Sequence, residues 1–368
     1  MAKQLILAVA GAGKTYHICH NIDENKKNLI LAYTHENIKN IRRELIEAFG
    51  CIPKLTTVLT FDSFLYRYMV LPYEPSILHF FQKENFRTKG ITINKPAPQT
   101  INGKPNPKYF SKDKIGHYIT SKGFYYCENL AELIMYIKQD RKSLIKRIAN
   151  NLNNFYYEIL IDEFQDFREY DYDLITSMAK EIDNITLVGD YNQHSVSAVN
   201  NSGRPFKKRT VEVNYDDFKT TITNLGFTID ENTLQASRRC PENICNFVRE
   251  KLNISFTHNN DHLGDVIFID NNVDRILKDN NIVKLVHKNS DKYKFRAMNW
   301  SYSKGDTFDN VCVILTDNFE KLSNRDFTTA NISQITLNQL YVALTRTKGN
   351  LYLIKNSDFK KVKFKYRK

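Results

Sequence analysis

Six apolar residues, Leu5-Ile6-Leu7-Ala8-Val9-Ala10, run directly into Gly11-Ala12-Gly13-Lys14-Thr15, and Tyr16-His17-Ile18 opens a helical pattern. An unbroken apolar run of this length reads as a short strand buried on both faces, the kind found in parallel sheets. A glycine turn joining such a strand to a helix restricts the fold to a wound α/β sheet, in which ligands sit at the carboxyl ends of the strands. Glycines allow backbone N–H groups to face a phosphate without an intervening Cβ. Lys14 would neutralise β- and γ-phosphates, and the Thr15 hydroxyl suits Mg²⁺. Ala8 stands where the G-x-x-x-x-G-K-[ST] pattern has its first glycine. A glycine turn followed by a chance Lys-Thr is the competing account.

A second stretch supplies acid. Phe155-Tyr156-Tyr157 begins an aromatic, apolar run expected to form a strand through Ile161, and Asp162-Glu163-Phe164-Gln165-Asp166 follows where that strand would end. Carboxylates there can meet a metal ion, although a solvated acidic turn fits the stretch equally well on its own.

With 368 residues the chain is long enough for two or three packed units. A hydrophobic share of 42% beside 26% charged residues is that of a globular chain. The formal net charge of +12 favours a polyanionic partner. No basic amphipathic helix or lipidation motif points to a membrane. The six cysteines include no C-x-x-C pair and no His cluster has zinc spacing, so they read as reduced thiols. The first apolar run is too short for a signal peptide or a span, and a cytoplasmic location is expected.

Further along, Asn28–Tyr33 reads as a strand leading into Thr34, a helix cap, and a helix over Ile38–Phe49. Thr57–Phe64 reads as a third strand ending in Thr60, Phe61, Ser63 and Phe64. An aromatic beside a hydroxyl there can stack a base and hold a phosphate, while core packing explains either Phe alone at least as well. Residues 65–154 break the strand–helix rhythm and predict an inserted subdomain. Its proline-rich middle (Lys95–Lys108) lies among Lys83, Arg87, Lys89, Lys112, Lys114 and Lys122, interleaved with Phe86, Tyr109, Phe110, Tyr118 and Tyr125. That mixture suits single-stranded nucleic acid, and a solvated basic face suits it as well. Glu128–Ala149 reads as helical. Ile185–Val188 is a strand ending in Gly189–Gln193, and Tyr215–Leu225 a helix. Strands at 266–269, 282–286, 311–315 and 351–354 belong to a second sheet, with a helix ending at Leu344 and a frayed basic tail over 360–368.

In this order the stretches resemble the motifs of a superfamily 1 helicase of the UvrD/Rep type, from Ala8 to Tyr352. Ala10–Thr15 resembles the Walker A loop, and Ala32–Asn37 and Thr60–Phe64 resemble two DNA-contacting motifs. Ile161–Asp166 matches the family's DEFQD form of Walker B. Gly189–Gln193 resembles GDxxQ, Arg239-Cys240-Pro241 the arginine-bearing motif, Lys304–Asp309 the KG-x-x-FD motif, and Tyr341–Lys348 the last motif. The resemblance implies an α/β fold of two RecA-like domains, with ATP and Mg²⁺ in the cleft between them. The first would span 1–64 and 155–232, an inserted subdomain 65–154, and the second 233–368.

It implies that Ala10, Gly11, Ala12, Gly13, Lys14, Thr15 and Gly305 bind the nucleotide and that Thr15 and Asp162 hold the metal. Glu163 would be the general base, Gln193 the link from γ-phosphate to DNA, and Arg239 and Arg346 arginine fingers, a device worth ~10³–10⁵ in rate. Thr34, Thr60, Phe61, Ser63, Phe64 and Thr307 would touch the strand. The implied activity is ATP-driven movement on single-stranded DNA, 3′ to 5′, with a helicase-like regulatory subunit of a nuclease complex as the alternative.

The chain also departs from the family. It opens at its first strand, so the upstream adenine-reading glutamine segment is not expected, and only Gln4 lies nearby. Ala198 and Val199 occupy the places of a base-stacking aromatic and an arginine, and Thr307 stands where the family often has Glu. About sixty residues separate Arg239 from Ser301, too few for the large accessory insertion of the second domain.

Overall fold

The computed structural model describes residues 2–83, 87–139, 142–194, 203–208 and 211–368. Phe86, Ala198 and Val199 lie outside the described residues.

Two parallel sheets organise the chain, as the RecA-like expectation requires. The first contains β1 (Ala2–Ala8), β2 (Asn28–Ala32), β3 (Thr56–Thr60), β4 (Glu158–Ile161), β5 (Asn184–Gly189) and β6 (Thr228–Leu234), in the spatial order β6-β1-β5-β4-β2-β3. Every pairing in it is parallel. The second sheet contains β7 (Val266–Phe268), β8 (Ile282–Val286), β9 (Ala297–Asn299), β10 (Asn310–Ile314) and β11 (Leu351–Ile354), ordered β7-β11-β10-β8-β9 and again parallel throughout.

The period-2 alternation of side chains along each strand divides the core in two. Leu5, Leu7, Leu29, Leu31, Ile159 and Ile161 face one way and pack with Tyr118, Tyr125 and Leu133 from the inserted residues. Ile6, Ala8, Ile30, Ala32 and Leu160 face the other way. Their cluster runs without a break into Val283, Leu285, Val311 and Val313 of the second sheet. The insertion therefore lies on one face of the first sheet and the second domain on the other. The outer face of the second sheet has its own cluster, with Ile282, Val286, Cys312 and Ile354 under Phe359 and Tyr366.

Four local expectations change. Phe155 ends the helix Leu144–Phe155, half exposed, and the strand before Asp162 begins only at Glu158. The helix read over Glu128–Ala149 is broken. Leu130–Tyr136 is helical, Ile137 turns extended and is buried, and Lys138–Gln139 pairs antiparallel with Lys142–Ser143 before the next helix. β3 stops at Thr60, and Phe61–Phe64 forms a helical turn. The basic tail is docked: Asn356–Val362 is helical, and Phe359 and Tyr366 are buried against Tyr293 and Phe295. Two aromatics spaced among lysines bury enough apolar surface to hold a segment that charge alone would release.

Candidate functional site

β1 ends in the phosphate loop, and the helix Lys14–His20 starts from Gly13. Gly11 and Gly13 take φ of +72° and +87°, a region open to glycine at no steric cost. Gly11 has a second constraint. A Cβ there would lie 2.8 Å from Arg239 Cβ and 2.8 Å from Ser237 Oγ, so residues 237–239 lie directly on the loop. The Arg238 N–H donates to the Gly11 carbonyl at 2.9 Å.

β4 delivers the acids from the neighbouring sheet position but one. The Thr15 hydroxyl donates to Asp162 Oδ2 at 2.9 Å, and the Glu163 N–H donates to Asp162 Oδ1 at 2.8 Å. Thr15 and Asp162 thus present hard oxygens side by side, a donor set suited to Mg²⁺ completed by phosphate and water. Glu163 sits in the left-handed region at φ 55°, a strained conformation for a non-glycine residue of the kind that collects at functional sites. Its carboxylate lies 3.6 Å from Lys14 Nζ and 3.9 Å from Lys304 Nζ, and it accepts from the Gln165 amide.

These neighbours separate the two acids. Burial and the adjacent Glu163 charge push Asp162 up to about 6. Burial pushes Glu163 in the same direction, but Lys14, Lys304 and Gln165 outweigh it and hold that carboxyl down at about 2. Asp162 is the acid that a proton can compete for; Glu163 stays ionised.

From β5 the site extends toward the second domain. The Asp190 N–H donates to Gln165 Oε1 at 2.8 Å, and Gln193 Nε2 donates to Asp190 Oδ2 at 2.7 Å. Gln193 is buried and aimed at Asp190. Tyr341, on the helix Gln334–Leu344 of the second domain, closes the circuit. Its hydroxyl accepts from the Ala10 N–H at 2.8 Å and donates to Asp190 Oδ2 at 3.3 Å. Asn338, one turn earlier, donates to the His194 carbonyl at 3.1 Å. Lys304 Nζ reaches Asp166 Oδ1 at 2.5 Å.

Both arginines come from the second domain. Arg239 Nη1 donates to the Thr345 carbonyl at 3.1 Å, and Arg346 Nε to the Val342 carbonyl at 2.8 Å. Burial, then the neighbouring Arg239 guanidinium, press against the charge of Arg346. An anion placed between them would relieve that repulsion.

The predicted strand-binding residues divide. Thr34 is exposed at the cap of the helix His35–Phe49, accepting from the Asn37 N–H at 3.1 Å. Ser63 is partly exposed and its N–H donates to the capping Thr60 hydroxyl at 3.3 Å. Thr307 is exposed two residues beyond Gly305, itself exposed at φ +91°. Phe61 and Phe64 do not fit the expectation. They are 1% and 0% exposed, and Phe61 packs edge-on to Phe167 with centroids 4.9 Å apart. The helical turn rotates both rings into the core, so neither offers a face to a base.

Sequence reasoning missed a pair beside the loop. The Arg238 guanidinium lies 4.4 Å from the centroid of the Tyr16 ring, which stacks on His20 at 3.8 Å. Tyr16 and Arg238 are both exposed there. An aromatic immediately after Lys-Thr, beside a second arginine next to Arg239, was the available signal. Tyr341 was missed too, as an apolar position on a buried helix.

A phosphate loop at the first sheet, with an acidic strand end beside it and arginines from a second parallel sheet, defines a P-loop α/β fold of two RecA-like domains. A family model, the UvrD/REP helicase N-terminal domain, matches residues 81–195. Over that segment, which is less than half of the chain, the sequence is similar to UvrD/Rep helicases. No curated protein sequence matches it. Among solved structures, the helicase of PRRSV is 15% identical over 96% of this chain, with a TM-score of 0.45. The arterivirus nonstructural protein 10 helicase, solved with DNA, is 13% identical over 97%, with a TM-score of 0.48. This chain spans 52% and 61% of those two proteins. No helix among the described residues is long and apolar enough to cross a membrane.

Proposed function

We propose that the chain is an ATP hydrolase that couples turnover to movement along single-stranded DNA, with 3′ to 5′ polarity. The observation that carries this reading is the junction at Glu163, where Lys14 of the phosphate loop and Lys304 of the second domain meet one carboxylate at 3.6 and 3.9 Å. A base held between the two domains makes hydrolysis depend on how they sit against each other. That dependence is what a motor needs.

In this reading the first core spans 1–64 and 155–232, the inserted subdomain 65–154, and the second core 233–368. Thr15 and Asp162 hold Mg²⁺, which would supply charge neutralisation at the phosphates. Residues 10–15 cradle the phosphates, with Gly305 at the cleft edge. Glu163 takes the proton of the attacking water, and Gln193 relays the γ-phosphate state through Asp190. Arg239 and Arg346 neutralise the transferring phosphoryl group. Tyr16 and Arg238 give the base a stacking face. Thr34, Ser63 and Thr307 line the strand path, with the buried Thr60 capping the turn that presents Ser63.

The test is nucleotide hydrolysis with and without single-stranded DNA and RNA, in wild type and Glu163→Gln. Strong stimulation by DNA is expected, with the variant binding ATP normally but turning over slower by orders of magnitude. Normal hydrolysis by the variant sinks the assignment of the base.

A second reading, a nucleotide-gated subunit of a nuclease complex, draws on the segment between Arg239 and Ser301. A helix, the short strand Thr257–His258, β7, a second helix, β8, a 3₁₀ turn and β9 make up its regular structure, and no accessory domain is present among the described residues. Strand displacement on tailed duplexes by the isolated chain would exclude it.

A further inference from the structure

The docked tail creates a surface that no part of the nucleotide site uses. Residues 355–368 and 288–296 together carry eleven Lys or Arg against two Asp. The two segments join antiparallel, with Tyr293 bridged to Arg367, the Lys294 N–H donating to the Tyr366 carbonyl at 2.8 Å and the Lys368 N–H to the Lys292 carbonyl at 2.9 Å. Burial alternates over residues 292–296, and Phe359 and Tyr366 are the buried residues of the tail segment. Tyr293, Phe295, Phe359 and Tyr366 turn inward and pack on one another, while Lys292, Lys294, Arg367 and Lys368 stand exposed on the other side.

Lys355, Lys360, Lys361 and Lys365 are compensated by Asp270, Asp317, Asp358 and Asp274. Lys292, Lys294, Lys363, Arg367 and Lys368 make no ion pair among the described residues. In their midst Phe364 is 69% exposed, between Lys363 and Lys365. The core under this strip is the outer face of the second sheet, opposite the face that continues into the first domain. A strand in the interdomain path cannot reach it without leaving that path.

Uncompensated cations on a rigid support form a phosphate-binding surface, and a lone exposed aromatic among them adds a stacking platform that any base can use. We infer that this strip is a second binding surface for single-stranded nucleic acid, engaging chain beyond the stretch held between the two domains. The inference rests on the nucleic-acid reading above only for the identity of the first surface.

The test is fluorescence anisotropy with labelled oligothymidylates of about 10 and about 40 nucleotides, the shorter filling one surface and the longer able to span two. It compares wild type, K292E/K294E/R367E and F364A across a salt series. For the long oligonucleotide, the triple variant should lose about 2 from the slope of log K against log salt, at about 0.7 per phosphate contact. F364A should bind it roughly five- to a hundred-fold more weakly. Binding of the short oligonucleotide in the presence of nucleotide, and the ATPase rate it elicits, should stay as in wild type. Phe364 is exposed, so F364A reads the surface without disturbing the tail's packing.

Equal affinity and equal salt slope in all three proteins overturn the strip, as does binding of anionic vesicles in place of the long oligonucleotide. Salt- and Phe364-dependent binding of the long oligonucleotide with no ATPase response to either length keeps the strip and removes the motor reading.

Discussion

Tyr341→Phe removes one oxygen, and that oxygen joins three elements. It accepts from the Ala10 N–H in the phosphate loop, donates to Asp190 at the end of β5, and is carried by a helix of the second domain. Tyr341 is fully buried, so water cannot replace it. The orphaned Ala10 N–H costs about 1–3 kcal/mol, and a lost bond to a charged group about 1.5–3 kcal/mol. The second figure belongs at its low end, because the bond is 3.3 Å long and Asp190 keeps the Gln193 amide and the Asn192 N–H. A net loss of about 2.5–4.5 kcal/mol follows. It falls on the contact between the domains and not within either one. The chain's single tryptophan, Trp300, is buried in the second domain and reports that domain's unfolding. In wild type the urea transitions by Trp300 fluorescence and by far-UV circular dichroism should coincide. In Tyr341→Phe the transitions should separate and the total stability fall by that amount. A change under about 0.5 kcal/mol, the size of an ordinary surface substitution, would refute the reasoning.

Other consequences are direct. Asp162 has a folded-state pKa near 6, above its unfolded value, so as pH falls through about 6 a proton increasingly competes for its metal-binding oxygens. Glu163, held at about 2, remains ionised over the same window. The acid limb of kcat/KM should therefore fall near pH 6 and be shifted by raising Mg²⁺, which a limb set by Glu163 would not show. Gly11→Ala should abolish nucleotide binding, since its Cβ would meet Arg239 Cβ at 2.8 Å on a positive-φ backbone; titration with a fluorescent nucleotide measures it. Arg238→Ala should weaken binding of nucleoside triphosphate more than of inorganic triphosphate, because it removes one face of the Tyr16 stack and no phosphate contact; equal losses for both would place Arg238 on the phosphates.

The main strands and the phosphate loop were readable because they rest on short-range physics. Apolar runs of four to six residues that end in glycine or acid read as buried strands, and a loop's glycines declare its backbone. The direction in which a side chain points is a different matter. Phe61 and Phe64 follow a strand whose alternation would have exposed one of them, but the chain turns helical at Phe61 and both rings rotate inward. Tyr341 lies in a helix buried nearly all round, so no periodicity marks its hydroxyl, and its partner is 331 residues away. The tail is the clearest case. Its composition reads as solvated and frayed, yet Phe359 and Tyr366 pin it to a strand edge more than sixty residues upstream. Composition counts the charges on a segment and is silent about the face its few aromatics share.

Lys304 decides whether the two domains are held together through the site itself. Its ammonium lies 2.5 Å from Asp166 and 3.9 Å from Glu163, with all three side chains largely shielded from water. Removing one member of such a pair strands the other, at about 3–5 kcal/mol, unless the structure opens to solvate it. Opening here means parting the cleft, since Lys304 and Asp166 sit on opposite sides of it. Lys304→Ala and Asp166→Asn should each speed hydrogen exchange in residues 159–166 and 334–346 in the nucleotide-free protein. The double variant should open no further than the singles, because the charge left stranded in each single has gone. ATP with Mg²⁺ should restore protection in all three, since phosphate then supplies the charge that Arg239 and Arg346 face. Additive opening in the double variant would mean that Lys304 and Asp166 act through other partners and that the cleft is not latched by this pair.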